Sequence, residues 1–271
     1  MQTNDVRVID RVPVSASICL LTLLGVPYAE SIRPGQFVML RIPGRIDPLL
    51  ARPYSVYDAE GTAIRILVKV VGKSSALFSS IELGSRMQCT GPLGNAFRVR
   101  RGEAVVMVAG GVGLAPMFLL AKRHPRNRRV LLYGSPNRDD CMALESFTRL
   151  GVEASCMTED GSMGTRGLVT EPLAGLLAGL KGSAAVFACG PEPMLRAVAR
   201  IAEKTGHSCQ VSVEERMACG IGVCQGCAVR VRSKNKEGYR YKLSCHDGPI
   251  FDTRELWPEG AAQRAPVCKE G

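Results

Sequence analysis

The chain has little that is aromatic, little histidine and no apolar run long enough to pass unbroken through a membrane. Of 271 residues, Phe, Trp and Tyr make up 5%, with one tryptophan and three histidines. Nucleic-acid recognition wants a basic stripe with aromatics or a recognisable motif beside it; aromatics are scarce and no such motif is found. Histidine chemistry is equally thin, because His124, His207 and His246 stand far apart in sequence. One of the longest uncharged stretches, residues 104–121, is about as long as a short membrane span, but Gly110, Gly111, Gly113 and Pro116 interrupt it. It reads as strand, glycine turn and helix, so no membrane span is expected. The opening MQTNDVRVIDRV has early acids and no apolar core before a small-residue cleavage site, so no export signal and a cytoplasmic setting are expected. Internal repeats and low-complexity tracts are also missing.

What is present in excess is cysteine and positive charge. Eleven cysteines is an odd number, which fits disulfides poorly in a chain without an export signal, so metal or redox chemistry moves ahead. The formal net charge of +10 is concentrated in residues 1–102, which hold 13 basic and 7 acidic side chains. A second basic stretch, 228–246, has Arg230, Arg232, Lys234, Lys236, Arg240 and Lys242 against Glu237. Anionic cofactors or an acidic protein partner account for this charge at least as well as nucleic acid. Hydrophobic residues at 46% and charged residues at 22% leave enough apolar material for packed cores.

The texture of the chain changes twice. The first hundred residues carry short period-two runs at 6–9, 18–21, 37–42 and 64–70, punctuated by Gly, Pro and Asp, with one helical stretch at 75–81. Many short strands at this spacing predict a small antiparallel barrel. From about residue 103, strands at 104–109, 130–133, 152–157 and 184–188 alternate with helices from Pro116 and at 141–150, 173–180 and 192–205. That alternation predicts a doubly wound parallel sheet. The last sixty residues hold a dense cysteine group, a polar hairpin around 234–238 and a tail after Trp257 without periodicity. The expected fold is therefore β barrel plus α/β, divided as 1–101, 102–210, a small segment 211–256 and a tail 257–271.

Three motifs carry chemistry. Cys219, Cys224 and Cys227, with Cys245 eighteen residues on, have the C-x₄-C-x₂-C…C spacing of plant-type [2Fe–2S] ligands. Gly220, Gly222 and Gly226 would let a tight loop aim backbone N–H groups at the sulfurs. A structural zinc site is the alternative, although zinc modules use two close Cys pairs. Arg52-Pro53-Tyr54-Ser55, at the end of a barrel-like strand, joins a cation, a ring and a hydroxyl. Together with the turn Gly72-Lys73-Ser74-Ser75, it suits a flavin dinucleotide. Gly110, Gly111 and Gly113, and then Cys189-Gly190-Pro191, sit at carboxyl ends of strands in the α/β half, where such sheets bind nucleotides.

Arg-Pro-Tyr-Ser, Gly-Pro-Leu-Gly at 91–94, Ala-Gly-Gly-Val-Gly-Leu-Ala-Pro at 109–116 and Cys-Gly-Pro, in that order, resemble the ferredoxin–NADP⁺ reductase superfamily. With Glu-Glu-Arg-Met-Ala-Cys-Gly-Ile-Gly-Val-Cys at 214–224, the chain is similar to the electron-transfer subunits of NAD-dependent (type B) dihydroorotate dehydrogenases. The resemblance implies FAD on an N-terminal FAD-binding barrel, NAD on the doubly wound nucleotide domain and a [2Fe–2S] cluster in the C-terminal segment. It implies Arg52 on the FAD phosphates, Ser55 near the reactive flavin edge, and Pro53 and Tyr54 beside them. Leu67, Val68 and Lys69 would line the flavin strand, and Gly72, Ser74 and Ser75 would hold the pyrophosphate. Gly110, Gly111, Gly113, Cys189, Gly190 and Pro191 would frame NAD, with Cys189 beside the nicotinamide. Cys219, Cys224, Cys227 and Cys245 would be the cluster ligands.

No side chain is then expected to perform acid–base catalysis, because the cofactors carry the chemistry. Electrons would enter singly from an FMN-containing dihydroorotate dehydrogenase catalytic subunit, in a heterotetramer serving pyrimidine biosynthesis, and leave on NAD⁺. Alternatives are the small subunit of an NADH-dependent ferredoxin:NADP⁺ oxidoreductase, in which an aspartate replaces one cysteine ligand, or a hydrogenase diaphorase subunit. A zinc-bearing, nucleotide-binding regulatory module is the alternative of another class. The choice between NAD and NADP stays open: Ser135 and Arg138 could meet a 2′-phosphate, while Asp139 and Asp140 could disfavour one.

Overall fold

A computed structural model describes residues 1–142 and 144–257. The first elements are β1 (Gln2–Pro13), β2 (Ile18–Leu24), β3 (Phe37–Arg41), β4 (Arg52–Glu60), β5 (Ala63–Lys69), α1 (Lys73–Ser79) and β6 (Arg86–Leu93). The six strands close into a barrel in the order β1-β2-β5-β4-β3-β6. Period-two alternation puts Val6, Val8, Leu21, Leu23, Val38, Leu40, Ile64, Ile66 and Val68 into one core. β6 is a strand that the sequence reading lacked. Its inward positions Met87, Cys89, Gly91 and Leu93 do alternate, but Gly91 and Pro92 are poor strand formers. Arg52-Pro53-Tyr54-Ser55 opens β4 rather than ending a strand, because these four residues are only half-buried and full burial begins at Val56.

The second unit comprises β7 (Ala104–Gly110), α2 (Ala115–Arg123), β8 (Arg129–Ser135), α3 (Glu145–Arg149), β9 (Glu153–Thr158), β10 (Thr165–Arg166), α4 (Leu173–Gly179), β11 (Ala184–Cys189), α5 (Glu192–Lys204) and β12 (Ser208–Ser212). Its strands are parallel in the order β10-β9-β8-β7-β11-β12. α2 and α3 pack on one face, through Met117, Phe118 and Phe147. α4 and α5 pack on the other, through Leu173, Leu177, Leu195 and Val198. The helix read over 141–150 shrinks to α3, because Cys141 and Met142 are drawn into the core beside Tyr133, whose hydroxyl accepts the Met142 N–H.

The cysteine segment adds β13 (Ala228–Arg232), β14 (Tyr239–Leu243) and β15 (Ile250–Asp252). β13 and β14 form the expected polar hairpin, while β15 pairs antiparallel with β12 and so extends the nucleotide sheet to seven strands. The tail expected after Trp257 lies outside the described residues. None of the described helices is long and apolar enough to cross a membrane.

Barrel and sheet meet along α2. Tyr57 of β4 stacks on Phe118, with ring centroids 4.4 Å apart and planes 10° from parallel. Beside them Lys122 pairs with the buried Asp58 carboxylate at 2.8 Å, a contact that also satisfies a charge taken out of water.

The glycine turn after β7 is fixed by a close backbone approach. A Cβ on Gly113 would lie 2.2 Å from the Cys189 carbonyl oxygen and 2.9 Å from the Gly190 nitrogen, both main-chain atoms that cannot step aside. Gly113→Ala should therefore destabilise the chain by about 2 kcal/mol, as overpacking does. Gly175→Ala, on the exposed face of α4 with open space around it, should stabilise it by about 0.5–1 kcal/mol. Urea denaturation of the two variants checks both signs.

Candidate functional site

Two cavities open between the barrel and the sheet and share a wall. The first, about 580 Å³, is bounded on the barrel side by Arg52, Pro53, Tyr54 and Ser55 from β4, Leu67 and Lys69 from β5, and the turn residues Gly72, Ser74 and Ser75. Across from them stand Val112, Ala115 and Cys189, and then Ser212, Glu214 and Met217 from the chain leaving β12. The second, about 610 Å³, is lined by Gly110, Gly111, Gly190, Pro191, Ser135 and Met194. Lys69, Val112 and Glu214 belong to both.

The structure thus gathers all but two of the residues singled out on the barrel and glycine turns. Val68 is not among the lining residues. Successive side chains of a strand alternate, so with Leu67 and Lys69 facing the cavity it points into the barrel core. Gly113 lines neither cavity, its place being set by the contact with Cys189. Cys189 itself faces the first cavity and not the second, and burial raises its thiol pKa.

Within the first cavity the groups divide into shapers and free hands. The Ser75 hydroxyl accepts the Val71 and Gly72 N–H groups at 2.9 and 3.1 Å and donates to the Gly72 carbonyl at 2.9 Å, so it builds the turn. No hydrogen bond engages the buried Ser74 hydroxyl among the described residues. Among the described residues the Arg52 guanidinium donates to the backbone carbonyls of Leu50 and Ala51, at 3.3 and 3.5 Å, leaving its charge to the cavity. Tyr54 packs its ring on Phe78 at 5.7 Å, and burial raises its hydroxyl pKa.

The residues weighed for a 2′-phosphate are spread out. Ser135 lines the second cavity, and its hydroxyl donates to the Asn137 carbonyl. Arg138 donates its Nε to the Ser162 carbonyl at 3.1 Å. Asp140 accepts the Ser17 hydroxyl at 2.7 Å and pairs with Lys69 at 3.7 Å, so it belongs to the joint between barrel and sheet.

The four cysteines of the C-terminal segment converge beside β3. Cys227 and Cys245 are buried with Phe37, Met39 and Leu93, their sulfurs 3.2 Å apart. Cys219 and Cys224 lie on the outer loop, where the Cys224 N–H points at the Cys219 sulfur from 3.4 Å. Further N–H groups aim at sulfur from Ile221 to Cys219 at 3.5 Å, from Gly222 to Cys245 at 3.1 Å and from Cys245 to Cys227 at 3.5 Å. The N–H groups of Cys224 and Ile221 hold the Cys219 thiol down at about 6, while burial and then the neighbouring Cys227 push Cys245 up to about 12.

Among the described residues, no three His, Cys, Asp or Glu side chains close on a point that one ion could fill. Two thiol pairs, one buried and one outer, suit a binuclear cluster with two ligands on each metal. A single zinc ion needs all four around one centre. Glu214, Met217 and Val112 stand inside the motifs at 214–224 and 109–116 but had no site role from the sequence. Glu214 offered one signal: like the glycine turns, it follows the carboxyl end of a strand.

Comparison with known proteins agrees with this division. The family model described as the iron–sulfur cluster binding domain of dihydroorotate dehydrogenase B matches residues 214–257. The oxidoreductase NAD-binding domain matches 107–200, and the oxidoreductase FAD-binding domain matches 5–97. The chain is 40% identical to the dihydroorotate dehydrogenase B (NAD⁺) electron transfer subunit of Caldanaerobacter subterraneus subsp. tengcongensis, covering 82% of this chain and 86% of that protein. It is 36% identical to the Clostridium acetobutylicum subunit of the same name, over 92% and 95%. Among solved structures, the NADH-dependent reduced ferredoxin-NADP oxidoreductase of flavin-based electron bifurcation is 26% identical. That match has a TM-score of 0.82 and covers 93% of this chain and 89% of the other. The zinc-module reading gives way to the iron–sulfur match.

Glu214 keeps solvent contact at the cavity wall, and the protein around it desolvates the carboxyl enough to raise its pKa. The folded chain thus keeps this proton to higher pH than the unfolded chain, and stability falls as pH rises past the unfolded value. Glu214→Gln removes that loss. Its melting-temperature advantage over the natural chain should grow between about pH 4 and about pH 7, and a difference that stays flat across that range would contradict it.

Proposed function

We propose the function from one premise: the chain belongs to the family of electron-transfer subunits of NAD⁺-dependent dihydroorotate dehydrogenase B. It is an oxidoreductase subunit with iron–sulfur, FAD-binding and NAD-binding domains. When bound, the [2Fe–2S] cluster relays single electrons, FAD exchanges one electron or two, and NAD⁺ accepts a pair. The protein's own part is to bind these groups, orient them and hold them close together.

In this reading Cys219, Cys224, Cys227 and Cys245 hold the cluster, and their N–H partners offset its negative charge. FAD occupies the first cavity. Arg52 meets its phosphates, and the Ser74 hydroxyl and the Gly72 turn meet the pyrophosphate, while Ser75 keeps that turn in shape. Ser55, Leu67 and Lys69 face the flavin, with Pro53 and Tyr54 completing the wall. NAD lies in the second cavity against Gly110, Gly111, Gly190 and Pro191, with Gly113 fixing the turn and Cys189 at the boundary between the two.

The observation that carries the reading is the shared wall at β3. Phe37 lines the first cavity, and Met39, two residues on along the same strand, packs with Cys227 and Cys245. Met217 reaches the cavity just two residues before Cys219. The donor to this pathway is an FMN-containing catalytic subunit that oxidises dihydroorotate, in a cytoplasmic heterotetramer of pyrimidine biosynthesis. Ile221 and Val223, apolar and exposed on the outer loop, suit a docking face there. The basic hairpin β13–β14 supports an acidic partner less strongly, because Arg230 already stacks on Tyr239 at 4.3 Å.

The test is spectroscopic. The purified chain should carry iron, sulfide and FAD, and absorb broadly to the red of the flavin bands. Cys227→Ser or Cys245→Ser should lose the red absorbance and iron but keep FAD, while Cys209→Ser, at a buried thiol elsewhere, should keep both. A colourless, zinc-loaded protein would overturn the reading. Gly220→Ala should also lose iron selectively, because its Cβ would stand 2.6 Å from the Met39 side chain at a left-handed φ of 71°.

A further inference from the structure

Two cysteines outside the four-thiol loop meet each other. Cys141, in the turn after β8, is buried, and Cys156 on β9 is half-buried. Their sulfurs stand 3.1 Å apart, about 1 Å more than a disulfide bond. Cys89 shows the contrast: it is also buried, but its sulfur meets the Tyr28 hydroxyl at 3.3 Å. The Cys141–Cys156 contact is internal to the nucleotide domain and touches neither cavity.

We propose that Cys141 and Cys156 are an oxidisable thiol pair that closes to a disulfide under peroxide. Cys156 is the more exposed of the two, and the hydrogen bond from Cys141 favours its thiolate. Its sulfur attacks the peroxide O–O bond, forming an S–O bond and releasing hydroxide. The Cys141 sulfur then attacks Cys156, forming the S–S bond as the oxygen leaves in water. Overall two thiols and one hydrogen peroxide give one disulfide and two waters, with two electrons passing from sulfur to oxygen.

The place of the pair gives the bond a consequence. Cys141 directly follows Asp140, which pairs with Lys69 and accepts the Ser17 hydroxyl, and the Asp139 carbonyl accepts the Ala16 N–H at 3.1 Å. These contacts tie the barrel to the nucleotide domain, and Lys69 lines both cavities. A disulfide would fasten the 138–141 turn to β9 and with it the anchor point of Lys69.

Trypsin separates the two sulfurs cleanly. Cleavage after Arg138, Arg149 and Arg166 leaves Cys141 in peptide 139–149 and Cys156 in peptide 150–166, each as the sole cysteine. The full-length chain with its bound cofactors is treated with a small excess of hydrogen peroxide, alkylated in denaturant and digested without reductant. The expected result is a linked 139–149/150–166 species in mass spectra. It should disappear with dithiothreitol and be absent from Cys156→Ser, in which Cys141 is alkylated. Recovery of both peptides alkylated overturns the proposal. So does Cys156 as a sulfinic acid beside an alkylated Cys141, or either cysteine linked elsewhere.

Discussion

The packing of the inner thiol pair against β3 is the contact on which the rest of the architecture depends. Met39 of that strand lies against Cys227 and Cys245, while Phe37, two residues earlier and on the same face, turns to the first cavity and pairs in register with Ser55 of β4. One short strand therefore sets the separation between the four-thiol loop and the flavin cavity. Asn95 holds the arrangement from the other side. Its side-chain amide donates to the Asp247 and Ile250 carbonyls at 2.9 and 2.8 Å, and its side-chain oxygen accepts the Ile250 N–H at 2.9 Å. The cysteine segment is thereby clamped to the barrel just after the Gly-Pro-Leu-Gly run at 91–94, while β15 ties it to the sheet.

The same economy governs the joint between barrel and sheet. Stacked Tyr57 and Phe118, the Lys122–Asp58 pair and the Lys69–Asp140 pair hold two units whose cavities adjoin. A flavin in one cavity and a nicotinamide in the other would meet across Lys69, Val112 and Glu214. The basic excess of the first hundred residues serves this joint in part: Arg65 joins Lys122 of α2 in neutralising Asp58 and Lys69 pairs with Asp140, whereas Arg52 among the described residues meets backbone carbonyls and keeps its charge for an anion. Charge that looked diffuse in the composition is thus divided between a structural and a binding use.

Much of this was legible because it is local. The thiol spacing, the Arg-Pro-Tyr-Ser strand and the glycine turns carry their geometry within a few residues, and the period-two runs name the barrel. Residues that act through tertiary packing were not legible. Val68 ends the short apolar run 66–68 of β5, in which Leu67 and Val68 are alike in character and do not show which of them meets a cavity. β6 was hidden by Gly91 and Pro92, and β15, three residues long, is specified by its partner β12 rather than by its own pattern. Glu214 becomes a wall residue only when the chain leaving β12 passes between the two cavities. The Cys141–Cys156 contact brings a loop to a strand fifteen residues on, and no spacing rule marks it.

In the proposed function the β3 wall joins the flavin cavity to the thiol loop, so electrons from a nicotinamide reach the cluster through the flavin. Rapid-freeze paramagnetic resonance after mixing the oxidised chain anaerobically with NADH measures this directly. The reduced-cluster signal should follow flavin bleaching without any partner subunit present. A flavin that bleaches fully while the cluster stays oxidised, although a chemical reductant reduces it, would mean that the β3 wall does not carry electrons between them.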